Sequence, residues 1–360
     1  MGGRFRAIVA VLALACLCSP ALAEAFYGPL RIRDMGPFQL LRLNMLPDHA
    51  IAPAPGRFAI ELHLSQSNTF AADEDVLHYL ESRDRRDELS AEDVENIRAL
   101  SEDAFLFDAA LGYFQLSAHY GLSDRWSAYL AVPVHYYSGG FLDSTIESFH
   151  DAFGFDSFGR EFISRNDFQA LAILDGDVFY LLERPLRSGI GDPVIGVRYY
   201  YPLPRHSALT FELAHKVSVH GGTGFLSTGA SDTGVQVSWH AHGERNSIYV
   251  SAALVLAGRA EPFPEHTRRF APSLNIAWEH RLAQNLNLVL QLNGARSLFE
   301  NGADAELTAN VFQASVGLRQ RHGEFVWSYA LTENLVNFNN TADLGFHVGF
   351  AWLPDAPGVY

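Results

Sequence analysis

Cysteine is nearly absent from this chain of 360 residues, and the two that occur, Cys16 and Cys18, sit in a short apolar run near its start. The run, Ala7 to Cys18, follows Arg4 and Arg6 and precedes Pro20 and the small-residue tripeptide Ala21-Leu22-Ala23. That pattern predicts a secretory signal peptide over residues 1–23, cleaved before Glu24. At about 12 residues the run is too short to cross a ~30 Å hydrocarbon core as a helix. A lipoprotein cut at Cys16 is the alternative, with Ala13 standing where a lipobox usually has leucine. Cleavage before Glu24 leaves no thiol, which excludes disulfides, thiolate catalysis and zinc–thiolate sites.

Lysine is almost as scarce, with Lys216 alone. Loss of Arg4 and Arg6 takes the formal charge from −15 to −17, and an acidic chain without a basic stripe is a poor partner for nucleic acid. Long apolar runs are missing too. No stretch of ~18 apolar residues follows Ala23, so membrane-spanning helices are excluded. No linker divides the remaining length into domains.

What the chain has instead is alternation. From Trp126 to Tyr136, Trp126, Ala128, Leu130, Val132, Val134 and Tyr136 interleave with Ser127, Tyr129, Ala131, Pro133 and His135, a period of two with one apolar face and one mixed face. The same pattern recurs in about twelve segments, from Phe58/Ile60/Leu62/Leu64 to Leu344/Phe346/Val348/Phe350/Trp352. Short connections (121–125, 202–206, 242–246, 281–284, 321–323) alternate with long polar ones (71–103, 138–190, 221–232, 257–268, 297–305, and a briefer one near 337–341). Tight periplasmic turns and long outside loops are the asymmetry of outer-membrane barrels. All five tryptophans, Trp126, Trp239, Trp278, Trp327 and Trp352, fall on the apolar parity near the expected periplasmic strand ends. A soluble sandwich would scatter them in height; an aromatic girdle collects them at one lipid–water level.

These patterns predict an all-β fold: a single transmembrane antiparallel β-barrel over residues 55–360, of about 12 strands, with long, partly helical extracellular loops. If the hairpin signalled by Asp175-Gly176 crossed the membrane, the count would be 14; as an extension above it, the count stays at 12. Ser90 and Asp93 are spaced as a capping box before a helix carrying Val94, Ile97 and Leu100. Phe141, Leu142, Ile146, Phe149 and Phe153 form an apolar stripe at helical spacing.

The runs Gly139-Gly140-Phe141-Leu142-Asp143, Ile146 to Gly154 with its Phe149-His150-Asp151 centre, Gly189-Ile190-Gly191-Asp192, Leu331-Thr332-Glu333-Asn334 and Asn339 to Asp343 together resemble an uncharacterised family of proteobacterial outer-membrane proteins, defined only as a domain of unknown function. The resemblance covers most of the mature chain and implies location and fold without an activity. Gly189 to Asp192 followed by Gly221-Gly222-Thr223-Gly224 also resembles channels for long-chain fatty acids and aromatic hydrocarbons, although none of those channels' binding residues can be matched here.

Pairing the strands around residues 202–206 sets Arg198 opposite Glu212 on the inward parity, a lumenal ion pair. Around 281–284 the same reasoning sets Glu279 opposite Asn287 and Asn275 opposite Gln291. Glu61, His63 and His347 join Arg198, Glu212 and Lys216 as lumen candidates, His63 and His347 lying at similar height where the first and last strands meet, near Ser65 and Asp343. A metal site or hydrolase cluster is one reading of these residues; hydration and cross-linking of a polar lumen is the commoner one, and Ser65 faces inward rather than toward lipid. His150 beside Asp151 reads as a polar helix face, and the acidic stretches around 73–75 and 84–88 as solvated surface. Residues 24–54 form an N-terminal segment on the periplasmic side, apolar from Phe26 to Leu46; this segment folds up inside the barrel as a plug, packs beneath it, or adds a strand.

The expected function is outer-membrane passage of a small, hydrophobic or amphipathic solute, with no catalytic residue, cofactor or metal. The alternatives are an enzyme acting on outer-membrane lipids and a structural or adhesion barrel working through its loops. The expected partners are outer-membrane lipids, lipopolysaccharide and the barrel-assembly machinery, with nucleic acid excluded.

Overall fold

The computed structural model describes residues 26–354, apart from 37, 49–52, 84, 141–142, 155–158, 175, 181–187, 222–224, 260–264, 301–304 and 337–340. The expected signal peptide lies outside the described residues, as do Phe141 and Leu142 and the side chains of Ile146, Phe149, His150 and Phe153.

The strands are β1 (Phe58–Ala72), β2 (Ala104–Gly121), β3 (Trp126–Ser138), β4 (Gln169–Leu174), β5 (Asp177–Tyr180), β6 (Gly189–Ile190), β7 (Val194–Leu203), β8 (Ser207–Lys216), β9 (Asp232–His242), β10 (Asn246–Leu256), β11 (Phe270–Ala283), β12 (Leu286–Ala295), β13 (Val311–His322), β14 (Phe325–Val336) and β15 (Leu344–Trp352). Among the described residues, β1 to β3 and β7 to β15 form a wall of twelve, each antiparallel to the next. The wall closes where β15 pairs with β1, Trp352 opposite Ile60 and Leu344 opposite Asn68. Closure leaves no unpaired edge, the one condition under which a sheet can span lipid.

The period-two pattern becomes an inside and an outside. On β12, Leu290 and Leu292 are exposed on the outer surface while Val289 and Gln291 are buried toward the lumen. On β9, Val235, Val237 and Trp239 face out, and Gln236, Ser238 and His240 face in. An exposed apolar band all round a closed cylinder is stable only against hydrocarbon. No described helix is long and apolar enough to cross a membrane.

The hairpin β4–β5 does not enter the wall. β4 pairs antiparallel with the upper end of β2, Ile173 opposite Ala104, and β5 pairs with β4, so the strand count is twelve rather than fourteen. Around it the outside loops make a folded cap. Helix Glu74–Ser82 starts at Asp73, whose side chain accepts the Val76 N–H, and helix Ala91–Leu100 starts at the Ser90/Asp93 capping box. Val76, Leu80, Leu89, Val94 and Ile97 bury against Phe70, Leu106, Ile163 and Leu171, a globular core standing above the membrane.

Register matches the expectation at β7–β8, where Arg198 lies opposite Glu212. At β11–β12 it differs: Glu279 lies opposite Val289 and Asn275 opposite Asn293, with an irregularity between Arg281 and Ala283. The connection is a two-residue turn at 284–285 rather than a four-residue one, and the turn together with that irregularity slides every partner by two, leaving each side chain on its face.

Candidate functional site

Residues 26–48 run inside the barrel. Tyr27, Leu30, Met35, Leu40, Leu41, Leu43 and Met45 are all buried. Apart from one short turn at Gln39–Leu41 the described residues of the segment form no helix or strand of their own, so wall side chains must satisfy its backbone polar groups. The Glu279 carboxylate accepts the N–H groups of Tyr27 at 2.8 Å and Gly28 at 3.1 Å, held meanwhile by Tyr249 and Asn287. Arg319 donates to the carbonyls of Tyr27, Gly28 and Pro29. The Gln291 amide accepts from the Leu30 N–H at 2.9 Å and donates to its carbonyl at 3.0 Å. Further up, Lys216 donates to Leu41 O and Gln236 to Leu46 O, while Asp232 accepts the Leu43 N–H.

Charge follows the same plan at three positions, where a segment charge meets an inward wall residue. Arg31 reaches Glu61 at 3.1 Å, Arg42 reaches Asp232 at 3.2 Å and Asp48 reaches Arg198 at 3.8 Å. Asp34 accepts from Thr341 at 2.6 Å. Arg33 differs: its guanidinium lies 4.4 Å from the Tyr113 ring centre and donates to the carbonyls of Gln39, Leu40 and Arg42. Two wall glycines take segment side chains where a Cβ would sit. Met45 Sδ lies 2.5 Å from the Cβ position of Gly234, and Leu30 Cδ2 2.9 Å from that of Gly317. At the outer end Phe38 packs edge-on against Phe107 and Phe299 and tilts against Phe225, joining the segment to the loops.

Two cavities flank the segment. One, of about 40 Å³, lies beside Arg33, Arg42, Tyr113, His135 and Lys216. The other, of about 50 Å³, lies beside Asp34, Gln236, Asn275, Asn293 and Gln313. Asn44 borders both. The first cavity is lined by several charged side chains, the second by amides and hydroxyls with Asp34 as its one charge among the described residues.

Of the lumen candidates named from the sequence, Glu61, Arg198, Glu212, Lys216 and His347 are buried and His63 is partly buried. Arg198 Nε donates to Glu212 at 2.9 Å, and Lys216 lies 3.3 Å from both Asp192 and Asp232. Glu61 Oε2 is approached by Arg31, by His119 at 3.2 Å and by His63 at 3.6 Å. His347 stands apart from that group. Its Cα partner is Ser65 rather than His63, its Nδ1 lies 2.8 Å from Ser65 Oγ, and its buried Nε2 has no hydrogen-bond partner among the described residues. Asp343 is committed elsewhere, to the Phe70 N–H and to Arg160. Among the described residues no three His, Cys, Asp or Glu side chains converge as a metal ligand set. Asp232 and Arg319 were missed in the sequence, and Glu279 was placed only against Asn287; the signal that could have found them is an isolated charge on the inward parity.

The five tryptophans lie on the outer face, Trp126 and Trp239 exposed and the others half-buried. The Trp278 N–H reaches Asn246 and the Trp352 N–H reaches Glu324, both at 3.1 Å and both at the turn end of the barrel.

The chain is similar in fold to the COG4313 outer membrane channel from Pseudomonas putida F1, with a TM-score of 0.52, 11% identity, and coverage of 86% of this chain and 99% of that one. A KdgM porin in complex with oligogalacturonate follows at TM-score 0.39 and 6% identity, covering 82% and 98% of the two chains. The CymD monoaromatic hydrocarbon channel stands at 0.38 and 9%, covering 83% and 89%. A search of curated proteins finds no match. The twelve-strand wall with its apolar outer band is that of a bacterial outer-membrane barrel, and a family model described as "Protein of unknown function (DUF3187)" matches residues 88–352. The chain belongs to that family.

Proposed function

We propose that the protein is a gated outer-membrane channel for a small hydrophobic or amphipathic solute, and that residues 26–48 are its gate. One observation carries this: the lumen is occupied by a strand-free segment held by wall side chains, with cavities of only about 40 and 50 Å³ beside it. Sites that enclose a small organic molecule are typically about 300–1,000 Å³, so passage requires the segment to shift. A segment held by side-chain hydrogen bonds can shift without breaking the wall, because the strand ladders do not include it. The aromatic contacts of Phe38 close its outer end, and in this reading the outward tryptophans lie with the short turns at the periplasmic lipid–water level. Lipid and lipopolysaccharide surround the wall in this reading, and the barrel-assembly machinery inserts it.

The test is planar-bilayer conductance and liposome swelling of the intact barrel and of one lacking residues 26–48. The deletion is expected to raise conductance strongly. Silence from both forms toward every solute tried sinks the channel.

The 2.8 Å contact of Ser65 with His347 favours a second reading, an enzyme acting on lipids. Among the described residues no carboxylate stands behind the imidazole, and the pair faces away from the bilayer. Lipid hydrolysis abolished by Ser65→Ala would establish it, and its absence in the unmodified protein would remove it.

A further inference from the structure

We propose that the turn end of the barrel carries a ring of arginines that selects anionic phospholipid headgroups in the leaflet it reaches. At this end the twelve wall strands meet in six neighbouring pairs, five joined by short turns and the sixth being β15 with β1. Each pair places one arginine at its rim. They are Arg57 before β1, Arg125 before β3, Arg205 in the β7–β8 turn, Arg245 before β10, Arg281 near the end of β11 and Arg321 near the end of β13. The first four are exposed and the last two half-buried.

The rim's charge is largely uncompensated. Among the described residues it holds three carboxylates, Asp124, Glu244 and Glu324, and Glu324 accepts from the Trp352 N–H. Arg125, Arg205, Arg245 and Arg321 form no ion pair among the described residues; Arg125 reaches the Tyr199 hydroxyl and Arg321 the Gly323 carbonyl. This positive rim stands in a chain of formal charge −15, whose β1–β2 loop at the opposite end, 73–103, carries twelve carboxylates against four arginines.

Spacing decides what kind of anion fits. Most neighbours in the ring are two or three strands apart, about 10–15 Å at ~4.8 Å per strand, too far for one small anion to bridge. Arg245 and Arg281 are the exception, the Arg281 N–H donating to the Arg245 carbonyl at 2.9 Å, and like charges directly opposite are destabilising without an anion between them. A surface of many separate headgroups meets the whole ring. Height agrees, because Trp126 directly follows Arg125 and the Trp278 N–H reaches Asn246, the residue after Arg245. Indoles settle at headgroup level, and a guanidinium at that level matches a phosphodiester through two parallel hydrogen bonds.

The five tryptophans make the test local, since each lies toward the turn end of its strand. The intact barrel is reconstituted in phosphatidylcholine bilayers, and tryptophan quenching by brominated phosphatidylglycerol is compared with quenching by brominated phosphatidylcholine. The anionic lipid is expected to be favoured by about threefold to fivefold, the upper figure being the equivalent of ~1 kcal/mol per arginine near an anionic surface. The preference should fall toward one in 1 M salt, where the Debye length is about 3 Å. Arg125→Gln, Arg205→Gln and Arg245→Gln together should abolish most of it, and the matching lysine replacements should keep most of it. A ratio near one in the unmodified protein overturns the ring without any variant, as does an unchanged ratio in the folded glutamine variant. A preference removed by millimolar inorganic phosphate at constant ionic strength assigns the arginines to a free anion and overturns the headgroup reading. Conductance plays no part in this readout, so a silent pore leaves the ring standing.

Discussion

Arg42 of the lumenal segment and Asp232 at the outer end of β9 meet at 3.2 Å, although 190 positions separate them in the chain. The same carboxylate accepts the Leu43 and Gly258 N–H groups and lies 3.3 Å from Lys216. One wall side chain thereby fixes the segment's outer half.

Asp232→Ala removes that anchor and strands the Arg42 charge. Breaking a buried ion pair by deleting one partner costs about 3–5 kcal/mol, here charged to the seated segment rather than to the wall. The expected outcome is a barrel with unchanged heat-modifiable migration on gels and a conductance raised toward that of the segment deletion. Unmodified conductance in this variant would mean the seat is held without Asp232.

Movement of the segment can be read chemically, because both cysteines lie in the first 18 residues. In protein produced without residues 1–23, Met35→Cys introduces a lone thiol where the native side chain is 2% exposed. Its labelling by a polar maleimide is expected to be at least about a hundredfold slower than that of Ser123→Cys in an exposed turn, as follows for a site reached only through local opening. Adding Asp232→Ala should close most of the gap. Equal rates in the two single variants would show that the segment does not stay seated.

The wall was legible in the sequence because a half-solvated strand alternates, and Phe58 to Leu64 or Val235 to Trp239 alternate cleanly. The outer end of β2 was not. Phe105, Leu106 and Phe107 are all buried, since the cap covers one face there and the lumen the other, and a strand covered on both faces loses its period. The Ser65–His347 contact was obscured by an offset of two residues between His63 and His347, which counting from strand ends could not resolve. The plug was one of three readings of residues 24–54, and its contacts with the wall were illegible for a different reason. Its wall partners bind the segment largely through backbone groups, and a backbone contact leaves no residue pattern behind.

Leu254 and Ala253 are neighbours on β10 with opposite fates, 41% and 9% exposed. Leu254 lies six residues above Ile248, which faces Trp278, and so sits well inside the apolar band. Leu254→Arg is expected to destabilise the barrel by about 2–4 kcal/mol, the cost of arginine near the midplane on the lipid face. Urea unfolding in lipid vesicles measures it. A loss below about 1 kcal/mol, the value near an interface, would place Leu254 outside the hydrocarbon.

The outer cap should respond to acid through Asp93. Burial pushes this carboxyl up, but hydrogen bonds from Tyr79, from the Ser90 N–H and hydroxyl, and from Arg85 outweigh it and hold Asp93 well below its ordinary range. A folded-state pKa below the unfolded one means that the unfolded cap takes up its proton first. The stability Asp93 contributes is therefore fully present above its unfolded value, about 3.9, and drains away as pH falls from there toward the depressed one. Hydrogen-exchange protection of the helix Ala91–Leu100, corrected for intrinsic rates, should hold from pH 7 to about 5 and decline below about 4. Asp93→Asn should lower protection at neutral pH by about 1–3 kcal/mol, as expected where a capping carboxylate and its charged partner are lost together. It should also flatten the acid decline; a decline as steep in Asp93→Asn as in the unmodified chain would assign the acid sensitivity of the cap to other carboxylates.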